Sequence, residues 1–159
     1  MTEVFVGIGS NVEPERHVRL ALQLMRARFG AMRLSPVYRN KAVGFEGDDF
    51  LNLVAAFDTD LGVEALGTAL DEIERACGRQ RGAARFSPRT LDLDLLLYGD
   101  RVDEALKLPR KEILGYAFVL KPLMDLAPSH HHPETGMTYK KHWARFLGDK
   151  SGLVAVELT

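Results

Sequence analysis

The stretch RFSPRTLDLDL, residues 85–95, carries the strongest pattern in this chain. From residue 91 leucine alternates with aspartate, and side chains on a strand alternate between two faces, so the pattern predicts a strand. The three leucines would face a core. Asp92 and Asp94 would share the opposite face, with Cα atoms roughly 6.6 Å apart. The stretch therefore predicts a strand anchored on one side that presents two carboxylates on the other.

Asp92 and Asp94 are predicted metal ligands. Aspartate is a poor strand former, and two like charges on one face repel unless a cation lies between them. Mg²⁺ typically takes one or two carboxylates and completes its shell with phosphate oxygens and water. A solvated edge strand is the alternative interpretation. The repeat of aspartate within a leucine-rich strand favours the metal site.

Arginines dominate the segment before this strand. The chain holds no acidic residue between Arg75 and Asp92, so residues nearby in sequence cannot neutralise the cluster. Guanidinium groups beside a metal supply the fixed charge that a triphosphate needs. Arg79 and Arg89 are the predicted phosphate contacts. A solvated basic loop remains the alternative.

The wider pattern of the chain predicts its fold class. Periodicity and turn residues indicate strands at 3–8, 32–38, 50–59 and 90–98 and helices at 14–29 and 62–77, with shorter helices at 122–126 and 139–146. The order β-α-β-β-α-β is that of the split βαβ, or ferredoxin-like, arrangement. We predict an α+β sandwich, a mainly antiparallel sheet with helices packed on one face.

Size and charge limit the classes of protein. At 159 residues with a net charge of −1, the chain predicts one domain over 1–159 and has no basic field for nucleic acid. It has no apolar run of about 20 residues and no signal-peptide pattern at its start, so we expect no membrane association. The single cysteine, Cys77, fits a reducing cytoplasm. We expect a monomer that acts on small molecules.

Asn52 is a polar residue on an otherwise apolar strand. A buried amide needs hydrogen-bond partners, and a structural hydrogen bond is the usual answer. An amide also offers a donor and an acceptor to the edge of a flat heterocycle, and Phe50 lies on the same face, two residues away. The residues alone leave both interpretations open.

Together these features resemble the 6-hydroxymethyl-7,8-dihydropterin pyrophosphokinase family. The Pro-Arg-Thr-Leu-Asp-Leu-Asp segment at 88–94 is close to diagnostic, and the other pieces follow in family order over nearly the whole chain. They are GIGSN at 7–11, YR at 38–39, FLN at 50–52, IE at 73–74, GR at 78–79, the stretch from Phe118 to Leu123, and AP at 127–128.

The resemblance implies transfer of pyrophosphate from ATP to the hydroxymethyl group of the pterin, with release of AMP. It implies two Mg²⁺ ions on Asp92 and Asp94 and catalytic roles for Arg79 and Arg89. The implied pterin contacts are Asn52, Phe118, Phe50, Val43 and Gly44. The implied nucleotide contacts are Glu74, Arg81, Arg85, Phe86, Leu95 and Arg110.

The chain departs from the family pattern in four places. Phe86 replaces a tryptophan, and residues 40–42 replace a proline-containing loop. Arg110 and Lys111 stand where a His-Tyr pair is usual, and Tyr116 precedes Phe118 where an arginine is expected. Arg110 could supply the missing positive charge from a new position.

Two other functions remain open at this stage. A nucleotidyltransferase with a palm-like sheet also combines Gly-Ser with Asp-x-Asp, although here more than eighty residues separate the two pieces. The second alternative is a pterin-binding paralogue that has no turnover or has altered specificity. Release of AMP distinguishes pyrophosphoryl transfer from nucleotidyl transfer, which releases pyrophosphate.

Overall fold

The computed structural model describes residues 1–41, 49–78 and 91–158. No helix within these ranges has the length and apolarity to cross a membrane. The elements in chain order are β1 (Thr2–Ser10), α1 (Pro14–Phe29), β2 (Arg33–Leu34), β3 (Val37–Asn40), β4 (Phe50–Thr59), α2 (Val63–Ala76), β5 (Asp92–Tyr98), α3 (Glu112–Gly115), α4 (Ala117–Leu126), α5 (Tyr139–Arg145) and β6 (Val154–Val156).

One sheet carries all of these strands in the order β5-β1-β4-β3-β6, with β2 also paired to β4. β1 is antiparallel to both of its neighbours, β4 and β5. β4 and β5 therefore run parallel with β1 between them, which is the split βαβ arrangement. The predicted α+β class and mainly antiparallel sheet are confirmed.

Helices cover both faces of the sheet. On one face α1 and α2 bury a core against β1 and β4 that includes Val6, Met25 and Leu70. On the other face α3, α4 and α5 bury a second core that includes Phe5 and Leu120. The prediction of helices on a single face was wrong, because it included neither α3 nor the first half of α4, which pack on the second face.

A β-bulge interrupts β5 beside the predicted metal ligands. Val6 of β1 pairs with Leu95 and Phe5 pairs with Leu97, so Leu96 has no partner in the ladder. Leu93 and Leu95 pack toward α1 and α2, whereas Leu96 and Leu97 pack toward α4. The bulge turns the strand immediately after Asp94, and such irregularities are frequent next to active sites.

The predicted strand at 32–38 is two strands separated by Ser35-Pro36. Ser35 exchanges hydrogen bonds with Val54, its amide donating to the carbonyl oxygen and its hydroxyl accepting from the Val54 amide, both at 2.9 Å. Pro36 has no amide hydrogen to continue the ladder. The chain therefore breaks at this dipeptide, and β3 extends to Asn40.

The C-terminal third differs most from the prediction. The helix expected at 122–126 starts at Ala117 and continues through Pro122, while α3 and β6 had no sequence prediction. Pro122 lies inside α4, where it has no amide hydrogen to donate to the carbonyl oxygen of Phe118 four residues earlier. The predicted helix at 139–146 is present as α5, one residue shorter.

Candidate active site

A cavity of about 320 Å³ opens where β1, β4 and β5 meet the segment 107–119. Its volume is within the range of small-molecule sites. The cavity has an acidic end on β5 and an amide and aromatic end on β4 and α4. Six of the predicted site residues line it, namely Phe50, Asn52, Asp92, Asp94, Arg110 and Phe118.

Asp92 and Asp94 form the acidic end. They stand opposite Gly9 and Gly7 in the ladder with β1, and both carboxylates face the cavity. Burial and then the negative charge of Asp92 raise the pKa of Asp94 above its ordinary value, while the Arg110 guanidinium opposes the rise. The pair therefore favours a cation between or beside its carboxylates.

The donor set at this end fits Mg²⁺ bound together with phosphate. Within the described ranges no group of three or more His, Cys, Asp or Glu side chains could enclose a metal ion. Two carboxylates leave the remaining positions of a hard cation to phosphate oxygens and water, which is the usual arrangement for Mg²⁺. Asp92 and Asp94 are the side chains that would hold it.

Arg110 lies between the acidic end and α3. Its Nη2 is 3.2 Å from Oδ1 of Asp94, and its Nε is 3.6 Å from Oε2 of Glu112. The Arg110 amide donates to the carbonyl oxygen of Leu96 at 3.0 Å, which ties this segment to the bulge of β5. Arg110 therefore places a guanidinium directly on one predicted metal ligand.

Asn52 forms the amide end together with Asn40. Nδ2 of Asn52 donates to Oδ1 of Asn40 at 2.6 Å, and Nδ2 of Asn40 donates to the carbonyl oxygen of Lys41 at 3.1 Å. Oδ1 of Asn52 lies against Gly9, where an added Cβ would come within 2.7 Å of it. A neighbouring amide and a glycine thus hold the Asn52 side chain in one orientation.

Aromatic rings complete this end of the cavity. Phe50 contributes from β4 and Phe118 from α4. The Tyr116 ring stacks on Phe118, with centroids 4.9 Å apart and ring planes inclined by 27°. A flat ligand would therefore meet aromatic faces and the Asn52 amide in one place.

Glu74 and Leu95 lie outside this cavity, on the α2 side of β5. Leu95 packs against the first core. The Glu74 carboxylate is buried, and its Oε2 accepts a hydrogen bond from the Leu93 amide at 2.7 Å. Leu93 lies between the two aspartates on an edge strand, so Glu74 supports the backbone that carries them.

Replacing Glu74 with alanine should lower the free energy of unfolding by about 2 kcal/mol, because a buried amide loses a charged acceptor. Glu74→Gln keeps an acceptor and should recover most of the loss. Urea unfolding measures both. Glu72→Ala, on the same helix as Glu74, removes an exposed ion pair to Arg28 of α1 and should cost less than about 1 kcal/mol. Equal midpoints for Glu74→Ala and the wild type would contradict this role.

Seven predicted site residues lie outside the described ranges, so their positions relative to the cavity stay predictions. They are Val43, Gly44, Arg79, Arg81, Arg85, Phe86 and Arg89.

Sequence reasoning included Asn40 only in a loop of backbone contacts, without its side-chain bond to Asn52, and did not identify Lys107 as a site residue. Asn40 ends β3 and reaches Asn52 across the strand pair, where Tyr38 is the ladder partner of Asn52. The sequence signal that could have identified Asn40 is its position: Asn40 and Asn52 are polar residues near the paired ends of β3 and β4. Lys107 lines the cavity from a turn with a left-handed backbone, and no periodicity marks that segment.

These features define a ferredoxin-like α+β domain whose cavity joins a paired-aspartate end to an amide and aromatic end. The family model described as 7,8-dihydro-6-hydroxymethylpterin-pyrophosphokinase (HPPK) matches residues 5–128. The chain belongs to this family.

Curated relatives support the same assignment. A Pseudomonas aeruginosa protein named 2-amino-4-hydroxy-6-hydroxymethyldihydropteridine pyrophosphokinase is 41% identical over 138 residues, covering 82% of this chain and 84% of its own. An Aquifex aeolicus protein of the same name is 32% identical over 137 residues, covering 84% and 85%. These matches extend over most of this chain and most of each relative.

Solved structures share the fold. Wild-type Plasmodium falciparum HPPK-DHPS matches with a TM-score of 0.71 and 10% identity, covering 92% of this chain and 45% of that one. The triple mutant of the same protein with SDX-DHP matches with a TM-score of 0.73 and 12% identity, covering 92% and 44%. This chain thus spans less than half of those proteins, and the likeness concerns the fold alone.

Proposed function

We propose that this protein transfers pyrophosphate from ATP to the hydroxymethyl group of 6-hydroxymethyl-7,8-dihydropterin, with release of AMP, as a step of folate biosynthesis. One observation carries the proposal. In a chain of the HPPK family, a single cavity joins Asp92 and Asp94 to Asn52 and Phe118. The acidic end suits a metal with a polyphosphate, and the amide and aromatic end suits a flat heterocycle.

Each end of the cavity has a proposed task. Asp92 and Asp94 hold two Mg²⁺ ions, which supply positive charge against the triphosphate oxygens. Arg79 and Arg89 are proposed to neutralise the charge that develops as the pyrophosphoryl group leaves AMP. Asn52 pairs with the pterin edge, Phe50 and Phe118 stack on its ring, and Val43 and Gly44 add backbone contacts. Holding the hydroxyl near the β-phosphorus makes the transfer effectively intramolecular.

The nucleotide side of the site is proposed from the resemblance and from position. Arg110 offers a guanidinium to phosphate oxygens from the cavity wall. Arg81, Arg85 and Phe86 are proposed nucleotide contacts, and Leu95 and Glu74 would act from the α2 side of β5. We further propose a cytoplasmic monomer, which size-exclusion chromatography with light scattering can test.

The test incubates the protein with ATP, Mg²⁺ and 6-hydroxymethyl-7,8-dihydropterin and separates the nucleotides by chromatography. The expected products are AMP and the pterin pyrophosphate. Release of pyrophosphate without AMP would indicate nucleotidyl transfer instead. If micromolar protein forms no AMP while both substrates bind, the chain is a binding paralogue and the proposal fails.

A further inference from the structure

The Arg110 side chain makes imperfect contacts in the part of the chain that the structure describes. Its Nη2 is 3.2 Å from Oδ1 of Asp94, longer than the 2.7–2.9 Å of a strong charge-assisted bond. Its Nε is buried, has no hydrogen-bond partner and lies 3.6 Å from the Glu112 carboxylate. A buried donor without an acceptor is unfavourable, so this arrangement is one that Arg110 can leave at modest cost.

The Arg110 guanidinium contacts a carboxylate that a metal ion would also bind. Oδ1 of Asp94 forms an ion pair with Arg110, and the same oxygen is among those available to a cation held by Asp92 and Asp94. Two cations at one carboxylate repel each other strongly in a half-buried site. A metal that binds Asp94 therefore has to displace Arg110 or tolerate its charge at close range.

Arg110 also has an alternative partner once it is displaced. A guanidinium presents a planar fork of donors that matches phosphate oxygens in a bidentate way. Its backbone remains fixed by the bond from its amide to Leu96, so only the side chain has to turn. Phosphate bound beside the aspartates would satisfy both Nη2 and the unpartnered Nε.

We infer that Arg110 is a displaceable counter-ion: it pairs with Asp94 before metal binds, and turns to the phosphates when metal and nucleotide bind together. The phosphate half of this inference rests on the proposed function. The competition for Asp94 does not. One consequence is that divalent metal alone binds this site weakly and that nucleotide strengthens its binding.

The test measures two affinities in the variant Arg110→Met, which keeps the length of the side chain and removes its charge. Mn²⁺ without nucleotide, followed by its electron paramagnetic resonance signal, should bind roughly tenfold more tightly than to the wild type, because no cation competes. A non-hydrolysable ATP analogue with Mg²⁺, followed by calorimetry, should bind roughly tenfold more weakly, because a charge-assisted phosphate contact is lost.

Matched variants separate competition from structural damage. Arg101→Met removes a guanidinium that pairs with Asp103 at 3.5 Å outside the cavity, and should change neither affinity. Arg110→Lys keeps the charge and should bind bare Mn²⁺ like the wild type.

A double variant tests whether Arg110 and Asp94 act as a pair. In the background of Asp94→Asn, Arg110→Met should no longer strengthen Mn²⁺ binding, because the effect of Arg110 depends on the Asp94 charge. Arg110→Gln provides a second neutral variant, and circular dichroism checks the folding of each.

The binding measurements test the competition for Asp94 and the contact with phosphate separately. Unchanged or weaker Mn²⁺ binding in folded Arg110→Met and Arg110→Gln would overturn the competition for Asp94. Unchanged binding of the ATP analogue would overturn the turn toward phosphate. A wild-type protein that forms no AMP, combined with tighter Mn²⁺ binding in Arg110→Met, would refute the proposed function and leave the competition intact.

Discussion

Replacing Asp94 with alanine should reduce AMP formation by roughly a thousandfold, because the charge that stabilises the transferring pyrophosphoryl group is then poorly held. Pterin binding should change little, since Asn52 and Phe118 lie at the other end of the cavity. The measurement is kcat from AMP release together with the pterin dissociation constant from fluorescence. Normal turnover would refute the metal-binding role of Asp94.

The same variant should unfold no more easily than the wild type when metal is absent. Burial and Asp92 raise the pKa of Asp94 in the folded protein, so the folded state binds this proton more tightly than the unfolded state. Stability of the wild type should therefore fall as pH rises from about 4 toward neutral, and Asp94→Ala should lose that slope. Urea midpoints at several pH values measure it. Asp58→Ala, at an exposed position of β4, should keep both the slope and the activity.

Replacing Gly9 with alanine should raise the KM for the pterin by at least roughly tenfold, because the Asn52 amide loses its orientation and with it a hydrogen-bonded edge. The new Cβ would lie 2.7 Å from Oδ1 of Asn52, closer than such atoms approach each other. The side chain must then move, and its 2.6 Å hydrogen bond to Asn40 is disturbed. The KM for ATP should stay near that of the wild type.

Gly7→Ala is the matched control for this prediction. It adds the same methyl group on the same strand and face, but the nearest atom is Cδ1 of Leu96 at an ordinary 3.5 Å. Its pterin KM should stay close to that of the wild type. If both alanine variants raise the pterin KM equally, the effect does not pass through Asn52.

Several elements followed from local patterns alone. The alternation of leucine and aspartate predicted β5, and the 3.6-residue spacing of apolar side chains predicted α1 and α2, because both periods arise from the backbone geometry of a single element. The same pattern predicted Asp92 and Asp94 as metal ligands, whereas Asn52 and Phe50 became predicted pterin contacts only through the family resemblance. All four line one cavity.

Other features of the structure do not follow from any periodic pattern in the local sequence. The bulge at Leu96 depends on how β5 pairs with β1, and the short α3 lies in a segment without a clear repeat. The stacking of Tyr116 on Phe118 comes from the turn between α3 and α4. Each of these depends on packing against another element, which outweighs the weak preferences of the residues themselves.

By itself the sequence determined the paired-aspartate strand, the split βαβ order and the resemblance to a family. Only the tertiary structure decided that Arg110 meets Asp94 and that Asn40 holds Asn52. The physical reason is that such contacts depend on strand register and on the path of the chain between elements. A one-residue slip in register would turn the strand residues Asn40, Asn52 or Asp94 to the opposite face of the sheet and break these contacts.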